Sequence, residues 1–143
     1  MDRTKVVEAF EKTHNIMHKL AGKLTLECYK KYSPHQMMAI LWLDKNGKNR
    51  LKDIADQTKM STSSLCVMFN TLDKNALIIR EIDKNDRRNT YYSLSDEGKA
   101  TAAQIMEQIR EAMLKIFKPL DDNELEKIAD SFGVINEILK KCL

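Results

Sequence analysis

Residues 51–94 read LKDIADQTKMSTSSLCVMFNTLDKNALIIREIDKNDRRNTYYSL, and most of the architecture follows from them. Leu51, Ile54 and Ala55 share one face of a short helix over Leu51 to Thr58. Lys59-Met60 makes a tight turn, Ser61 is a good capping residue, and Leu65, Met68, Phe69 and Leu72 form the inner face of a second helix reaching about Asn75. Two short helices joined by so short a turn are a helix-turn-helix pattern. The period then changes. Leu77 to Ile82 and Thr90 to Leu94 are rich in β-branched and aromatic residues, and the stretch between them, Asp83 to Asn89, is wholly polar. Two strands around a charged loop make a hairpin whose tip projects. A helix-turn-helix followed at once by a hairpin is a winged helix.

The flanks are helical. Before the motif, Val6, Phe10, Met17, Leu20, Leu24 and Cys28 recur at helical steps, which predicts one amphipathic helix from about Arg3 to Lys31. Ser33-Pro34 restarts the chain as a second helix, with Ser33 as cap, Pro34 at the first helical position and Gln36 placed for a capping box. Its run Met37 to Leu43 is almost continuously apolar, and Asn46-Gly47 ends it. After the hairpin, Ser95-Asp96-Glu97-Gly98 opens a long helix to about Phe117, which Pro119 breaks. Asp121 or Asp122 then caps a last helix carrying Leu125, Ile128, Phe132, Ile135 and Leu139 inward. The expected fold is mainly α with a small β-hairpin wing: a winged helix over 33–94, and helical regions at 1–32 and 95–143. Those helices carry more apolar face than so small a centre can cover, so they are expected to pair with a second chain.

Composition narrows the function. The chain has 143 residues, 43% hydrophobic and 31% charged, which fits one globular domain. With 4 Gly there is no GxGxxG or GxxxxGK[ST] loop to cradle a phosphate, and no cofactor is expected. No Ser/His/Asp arrangement, paired-carboxylate spacing or HExxH motif supports catalysis. No run of 18 apolar residues and no apolar stretch after a basic start suggest a membrane span or a signal peptide, so a cytoplasmic location is expected. Cys28, Cys66 and Cys142 are widely spaced and odd in number, which reads as reduced thiols. The net charge is +3, unevenly spread. Residues 1–94 hold 17 Lys/Arg against 11 Asp/Glu, and residues 95–143 hold 7 against 10. A basic first two thirds suits a polyanionic partner.

In this order and spacing, several short stretches resemble the MarR family of bacterial transcriptional regulators. They are Asp86-Arg87-Arg88 followed by Leu94-Ser95-Asp96-Glu97-Gly98, Ser33-Pro34-His35-Gln36, Leu51-Lys52-Asp53-Ile54-Ala55, and Met60-Ser61-Thr62-Ser63-Ser64-Leu65. The resemblance implies a homodimer on pseudo-palindromic double-stranded DNA. The recognition helix would enter the major groove and the wing the flanking minor groove. It implies a regulator, most simply a repressor, released by a small-molecule effector. Arg88 matches the wing-tip arginine that enters the minor groove, with Arg87 beside it, and Asp86 matches the acid that orients Arg88. The DNA-facing residues of the recognition helix would be Thr62, Ser63, Ser64, Cys66, Val67 and Asn70.

Two positions depart from the family. Ala76 stands where the family often has a glycine at the end of the recognition helix, so Asn75 could take the left-handed position instead. Ser61 to Asp73 contains no Lys or Arg, and Val67 stands where a polar or basic residue is common. Bidentate reading of guanine is then unavailable from this stretch, and hydroxyls and the Asn70 amide remain.

Other candidates carry less. Phe10, Met17, Met38, Trp42 and Met106 could line an effector pocket by the same resemblance, though they also suit an ordinary core. Cys28 lies near Lys30 and Lys31, which could lower its pKa and make it a redox sensor. The peroxide-sensing branch of the family, however, has its cysteine at a position equivalent to about Glu8. His14 and His18 stand at i,i+4 without a third ligand, so no metal site is expected. The rival readings are a redox- or metal-responsive regulator of the same fold, and a winged helix used only for protein contact.

Overall fold

Ser33 starts α2 (Pro34–Asn46) with the expected capping box. Its Oγ accepts from the Gln36 N–H at 3.2 Å, and Gln36 Oε1 accepts from the Ser33 N–H at 2.9 Å. The structure, a computed structural model, describes residues 2–143. In chain order it comprises α1 (Arg3–Ala21), a single 3₁₀ turn (Glu27–Lys30), α2, β1 (Asn49–Arg50), α3 (Leu51–Thr58), α4 (Thr62–Lys74), β2 (Ile78–Ile82), β3 (Thr90–Leu94), α5 (Asp96–Phe117) and α6 (Asp122–Leu139), closed by a 3₁₀ turn at Lys140–Cys142. The architecture is mainly α, with a three-stranded antiparallel sheet ordered β1-β3-β2. In the hairpin, Ile78 pairs with Leu94 and Ile82 with Thr90. β1 joins the outer side of β3 through Asn49–Tyr92 and Arg50–Tyr91. This two-residue strand is too short to show any alternation, and the sequence reading missed it.

The chain forms two compact units. One is Leu26–Ile109. Its core is built from Ile40 and Leu43 of α2, Ile54 of α3, Leu65, Phe69 and Leu72 of α4, and Ile105 of α5, all almost wholly buried. The Phe69 and Tyr92 rings meet at 4.8 Å and 56°, which locks α4 onto the sheet. This unit extends past 33–94 on both sides: Leu26, Cys28, Tyr32, Thr101 and Ala102 are also buried in it. The other unit comprises the described residues up to Thr25 together with Arg110–Leu143.

The first helix is shorter than its apolar spacing suggests. It stops at Ala21, and Gly22 caps it by donating to the His18 carbonyl at 3.0 Å. Lys23 and Leu24 then bond three residues back, to Leu20 and Ala21. Leu24 and Cys28 continued the helical spacing only by coincidence. Cys28 lies in the separate 3₁₀ turn, where its N–H donates to Gln108 Oε1 at 2.9 Å.

The end of α4 is a Schellman motif. Leu77 N–H donates to Leu72 O and Ala76 N–H to Asp73 O, at 3.0 and 2.9 Å. Ala76 itself holds the left-handed position at φ 57°, while Asn75 stays at −88°. Asn75 therefore does not substitute for the missing glycine, and an alanine bears the strain.

Candidate nucleic-acid interface

α4 is positioned by its own N-terminus. Ser61 Oγ accepts from the Ser64 N–H at 3.2 Å and donates to Ser64 Oγ at 2.8 Å, with Ser63 Oγ 3.4 Å away. With Leu65, Met68, Phe69 and Leu72 turned into the core, the opposite face is exposed: Thr62, Ser63, Ser64, Cys66, Val67 and Asn70. All the residues named for the recognition helix thus share one outward surface. Ser61 is committed to the cap, which the sequence allowed, and its hold on Ser64 was not read. Thr71 also lies on this surface, its hydroxyl donating to the Val67 carbonyl at 3.2 Å.

The wing tip is built from acidic side chains that bond to backbone. Asp83 Oδ1 accepts from the Asn85 N–H at 2.8 Å, and the Asp83 N–H donates to Asn89 O at 2.9 Å. Asp86 Oδ1 accepts from the Arg88 N–H at 3.0 Å, and Asp86 O from the Asn89 N–H at 2.9 Å. Asp86 therefore acts on Arg88 through the backbone, as an Asx turn, and not by gripping its guanidinium. Arg87 and Arg88 are exposed, and neither takes part in an ion pair among the described residues.

Charges at the base of the sheet are paired instead. Lys48 Nζ lies 2.6 Å from Glu81 Oε2 and 5.3 Å over the Tyr91 ring. Arg50 meets Asp53 through two bonds, Nε to Oδ2 at 2.8 Å and a second nitrogen to Oδ1 at 3.2 Å. Hydrogen bonding to Arg50 holds the Asp53 carboxyl below its ordinary range. Arg87 and Arg88 at the tip are thus among the cations outside any ion pair of the described residues, while Lys48 and Arg50 at the base of the sheet are neutralised.

The junction to α5 explains the Leu94-Ser95-x-x-Gly98 spacing. Ser95 Oγ donates to Ala76 O at 2.6 Å and accepts from the Gly98 N–H at 3.0 Å, while the Ser95 N–H donates to Leu77 O at 3.0 Å. A Cβ at Gly98 would collide with the Leu77 carbonyl and stand 3.2 Å from Leu94 Cδ2. Only glycine lets α5 start this close to the root of the wing.

The remaining candidates divide. Met38 and Trp42 line a groove of about 560 Å³ with Tyr29, Pro34, Met37 and Leu41. Met106 is exposed on α5 and is not part of that lining, and Phe10 and Met17 belong to the other unit. Cys28 is buried with its sulfur 3.6 Å from Met37 Sδ, and burial pushes its thiol up. The nearby lysines do not offset this: Lys30 pairs with Glu27 at 2.8 Å, and Lys31 lies over the Tyr32 ring at 5.3 Å. The lower thiol pKa that Lys30 and Lys31 could have produced is not what the packing makes. Cys66 and Cys142 are exposed. The His14 and His18 rings are 6.3 Å apart, and no cluster of three or more His, Cys, Asp or Glu suited to a metal occurs among the described residues. Among those residues, no helix is long and apolar enough to cross a membrane.

Residues 35–113, more than half of the chain, match the family model of a winged helix DNA-binding domain. The chain is 32% identical over 103 residues to the HTH-type transcriptional regulator FarR of Neisseria gonorrhoeae, covering 72% of this chain and 70% of that protein. It is 26% identical over 97 residues to the HTH-type transcriptional repressor MdtR of Bacillus subtilis, covering 68% and 63%. With the HTH-type transcriptional regulator YwhA of Bacillus subtilis it shares 29% over 80 residues, covering 56% and 58%. The matched stretch thus spans less than two thirds of the length of YwhA and of MdtR. A MarR family protein from Bacillus stearothermophilus shares the fold at 16% identity, with a TM-score of 0.76 over 98% of this chain and 99% of that one. Fold and relatives are those of transcriptional regulators, not of enzymes. The class is a winged-helix DNA-binding protein. The chain belongs to that family by its match over residues 35–113, and its fold is the one solved for MarR-family regulators.

Proposed function

We propose that the chain is a homodimeric transcriptional repressor that acts in the cytoplasm, binds pseudo-palindromic double-stranded DNA and is released from it by a small-molecule effector. The observation that carries DNA binding is the pairing of an outward face on α4, rich in hydroxyl and amide groups, with a hydrogen-bonded wing tip whose two arginines join no ion pair among the described residues. A helix of that diameter fits the major groove, and guanidinium groups suit the negative minor groove beside it. In this reading residues 33–94 hold DNA, and 1–32 with 95–143 hold the second copy. The dimer is supported by α1 and α6, which bury no residue and leave Phe10 66%, Ile16 59%, Val134 56% and Ile138 55% exposed. A repressing role is supported by likeness to MdtR, itself named a repressor. The effector would lie against Met38 and Trp42, whose groove is apolar and open.

Titration of a labelled duplex from upstream of the chain's own gene tests this. Binding should tighten as salt falls, with log K linear in log salt. Absence of binding to any duplex at low salt would favour the other reading, a winged helix for protein contact. The lack of Lys or Arg from Ser61 to Asp73 is the observation on that side. Trp42 fluorescence should change on titration with planar aromatic acids. A response to peroxide or zinc instead would move the input to the redox or metal class.

A further inference from the structure

We propose that Val67 reads the 5-methyl group of a thymine in the major groove, and that Asn70, one turn further on, reads the adenine of the same or the neighbouring pair. This rests on the DNA-binding reading above and names the chemistry that the recognition face selects.

Val67 is 70% exposed, the most exposed large apolar side chain of the Leu26–Ile109 unit among the described residues. It stands in the middle of α4's outward face, between Ser63 and Ser64 on one side and Asn70 and Thr71 on the other. The core does not account for it, and a β-branched residue is a poor choice for helix formation at an open position. An apolar side chain pointed at solvent in the centre of a recognition surface has an apolar feature of the ligand as its natural contact. The major groove presents one such feature, the thymine methyl, and it appears only at A·T pairs.

The polar groups around Val67 agree. The Ser61 hydroxyl is used within the cap, Ser64 accepts from it, and the Thr71 hydroxyl is spent on the Val67 carbonyl. The Asn70 amide has no such bond, and an asparagine amide matches the donor and acceptor of adenine in a bidentate pair. Residues three apart on a helix face the same way about 5–6 Å apart, which suits neighbouring base pairs. With no Lys or Arg before Lys74, α4 has nothing that favours guanine in the same way. The face is therefore selective for A·T pairs by methyl and amide contacts.

The test uses duplexes selected from a random pool by the chain, with each thymine replaced singly by deoxyuridine, which removes only the methyl. The wild-type chain should lose about three- to fourfold in affinity at one thymine per half-site, the transfer value of one methyl group. Val67→Ala, which removes the contact from both half-sites, should lose about the square of that factor on the thymine duplex and be indifferent to the uracil there. Asn70→Ala should lose about tenfold or more when the adjacent A·T pair is present, and little when it is replaced. Both residues are exposed, and thermal melting should show each variant folded. A wild-type chain that tolerates uracil at every position overturns the proposal, as does a Val67→Ala chain that still discriminates. Failure to select any duplex overturns the DNA-binding reading itself, an outcome distinct from binding without methyl dependence.

Discussion

The winged helix and the two terminal helices are packed to different standards. In Leu26–Ile109, seven large side chains from four helices are almost wholly buried around the Phe69–Tyr92 contact. In α1 and α6 no residue is buried at all, although Val6, Phe10, Phe132, Ile135 and Leu139 recur at helical spacing. The first region encloses an apolar core of its own. The second has amphipathic helices whose apolar faces one copy of the chain leaves open, as interaction surfaces do. Helix formation there is not sustained by propensity alone, since isolated helices of this length are marginal in water. In the proposed reading, stability resides in the first region and assembly in the second.

The sharpest break of that contrast is charge on the open face. Phe132→Glu combined with Ile135→Glu should weaken self-association on the order of a thousandfold, at about 1 kcal/mol for each of the four half-exposed apolar side chains that a dimer would lose. Light scattering at micromolar concentration should give twice 16.6 kDa for the native chain and 16.6 kDa for the double variant. A native chain that runs as a monomer would remove the assembly half of the comparison. On the self-contained side, Gly98→Ala should cost about 3 kcal/mol in urea unfolding, because an added methyl forces α5 away from the Leu77 carbonyl. A loss below about 0.5 kcal/mol would mean that the junction yields cheaply.

Thiol chemistry samples the same packing. Alkylation at pH 8 should reach Cys66 and Cys142 at least about tenfold faster than Cys28, since the thiolate is the reacting species and burial disfavours it. The sign follows from the raised pKa: the folded state keeps the Cys28 proton above its ordinary value of 9.0, so reactivity should appear only at higher pH or on unfolding. Equal rates would mean that this part of the core opens readily. The smallest effect is a gain. Ala76→Gly should raise stability by about 0.5–1 kcal/mol, relief of left-handed strain outweighing the extra freedom of the unfolded chain. Any loss on this change would show the strain to be absent.

What could be read in the amino-acid order follows from how local each signal is. The Ser33–Gln36 capping box, the α3–α4 turn, the hairpin and the α5 start are written in a few adjacent residues, and each is found where those residues predict. The end of α1 was hidden because Leu24 and Cys28 keep its apolar period while Cys28 packs into a different unit. β1 escaped because two residues carry no pattern. At the interface, exposure of the α4 residues follows from helical period. The Asp86 bond to the Arg88 N–H does not, because a carboxylate two residues from an arginine can bond to backbone or guanidinium equally well. The close approach at Gly98 depends on residues about 20 positions away, and only the folded chain brings them together.

The central claim is that the wing tip meets DNA through Arg88, so the most direct measurement is fluorescence anisotropy of a labelled operator duplex across a salt series, native chain against Arg88→Ala. The tip is exposed, so folding and self-association should be unchanged. Arg88→Ala should lose about 1–3 kcal/mol of binding per half-site, with a salt slope shallower by up to about one unit for each arginine removed. Asp86→Ala, which loosens the turn but leaves the guanidinium in place, should lose less. An Arg88→Ala chain with native affinity and native salt slope, or an Asp86→Ala chain that binds more tightly than the native one, would contradict the account.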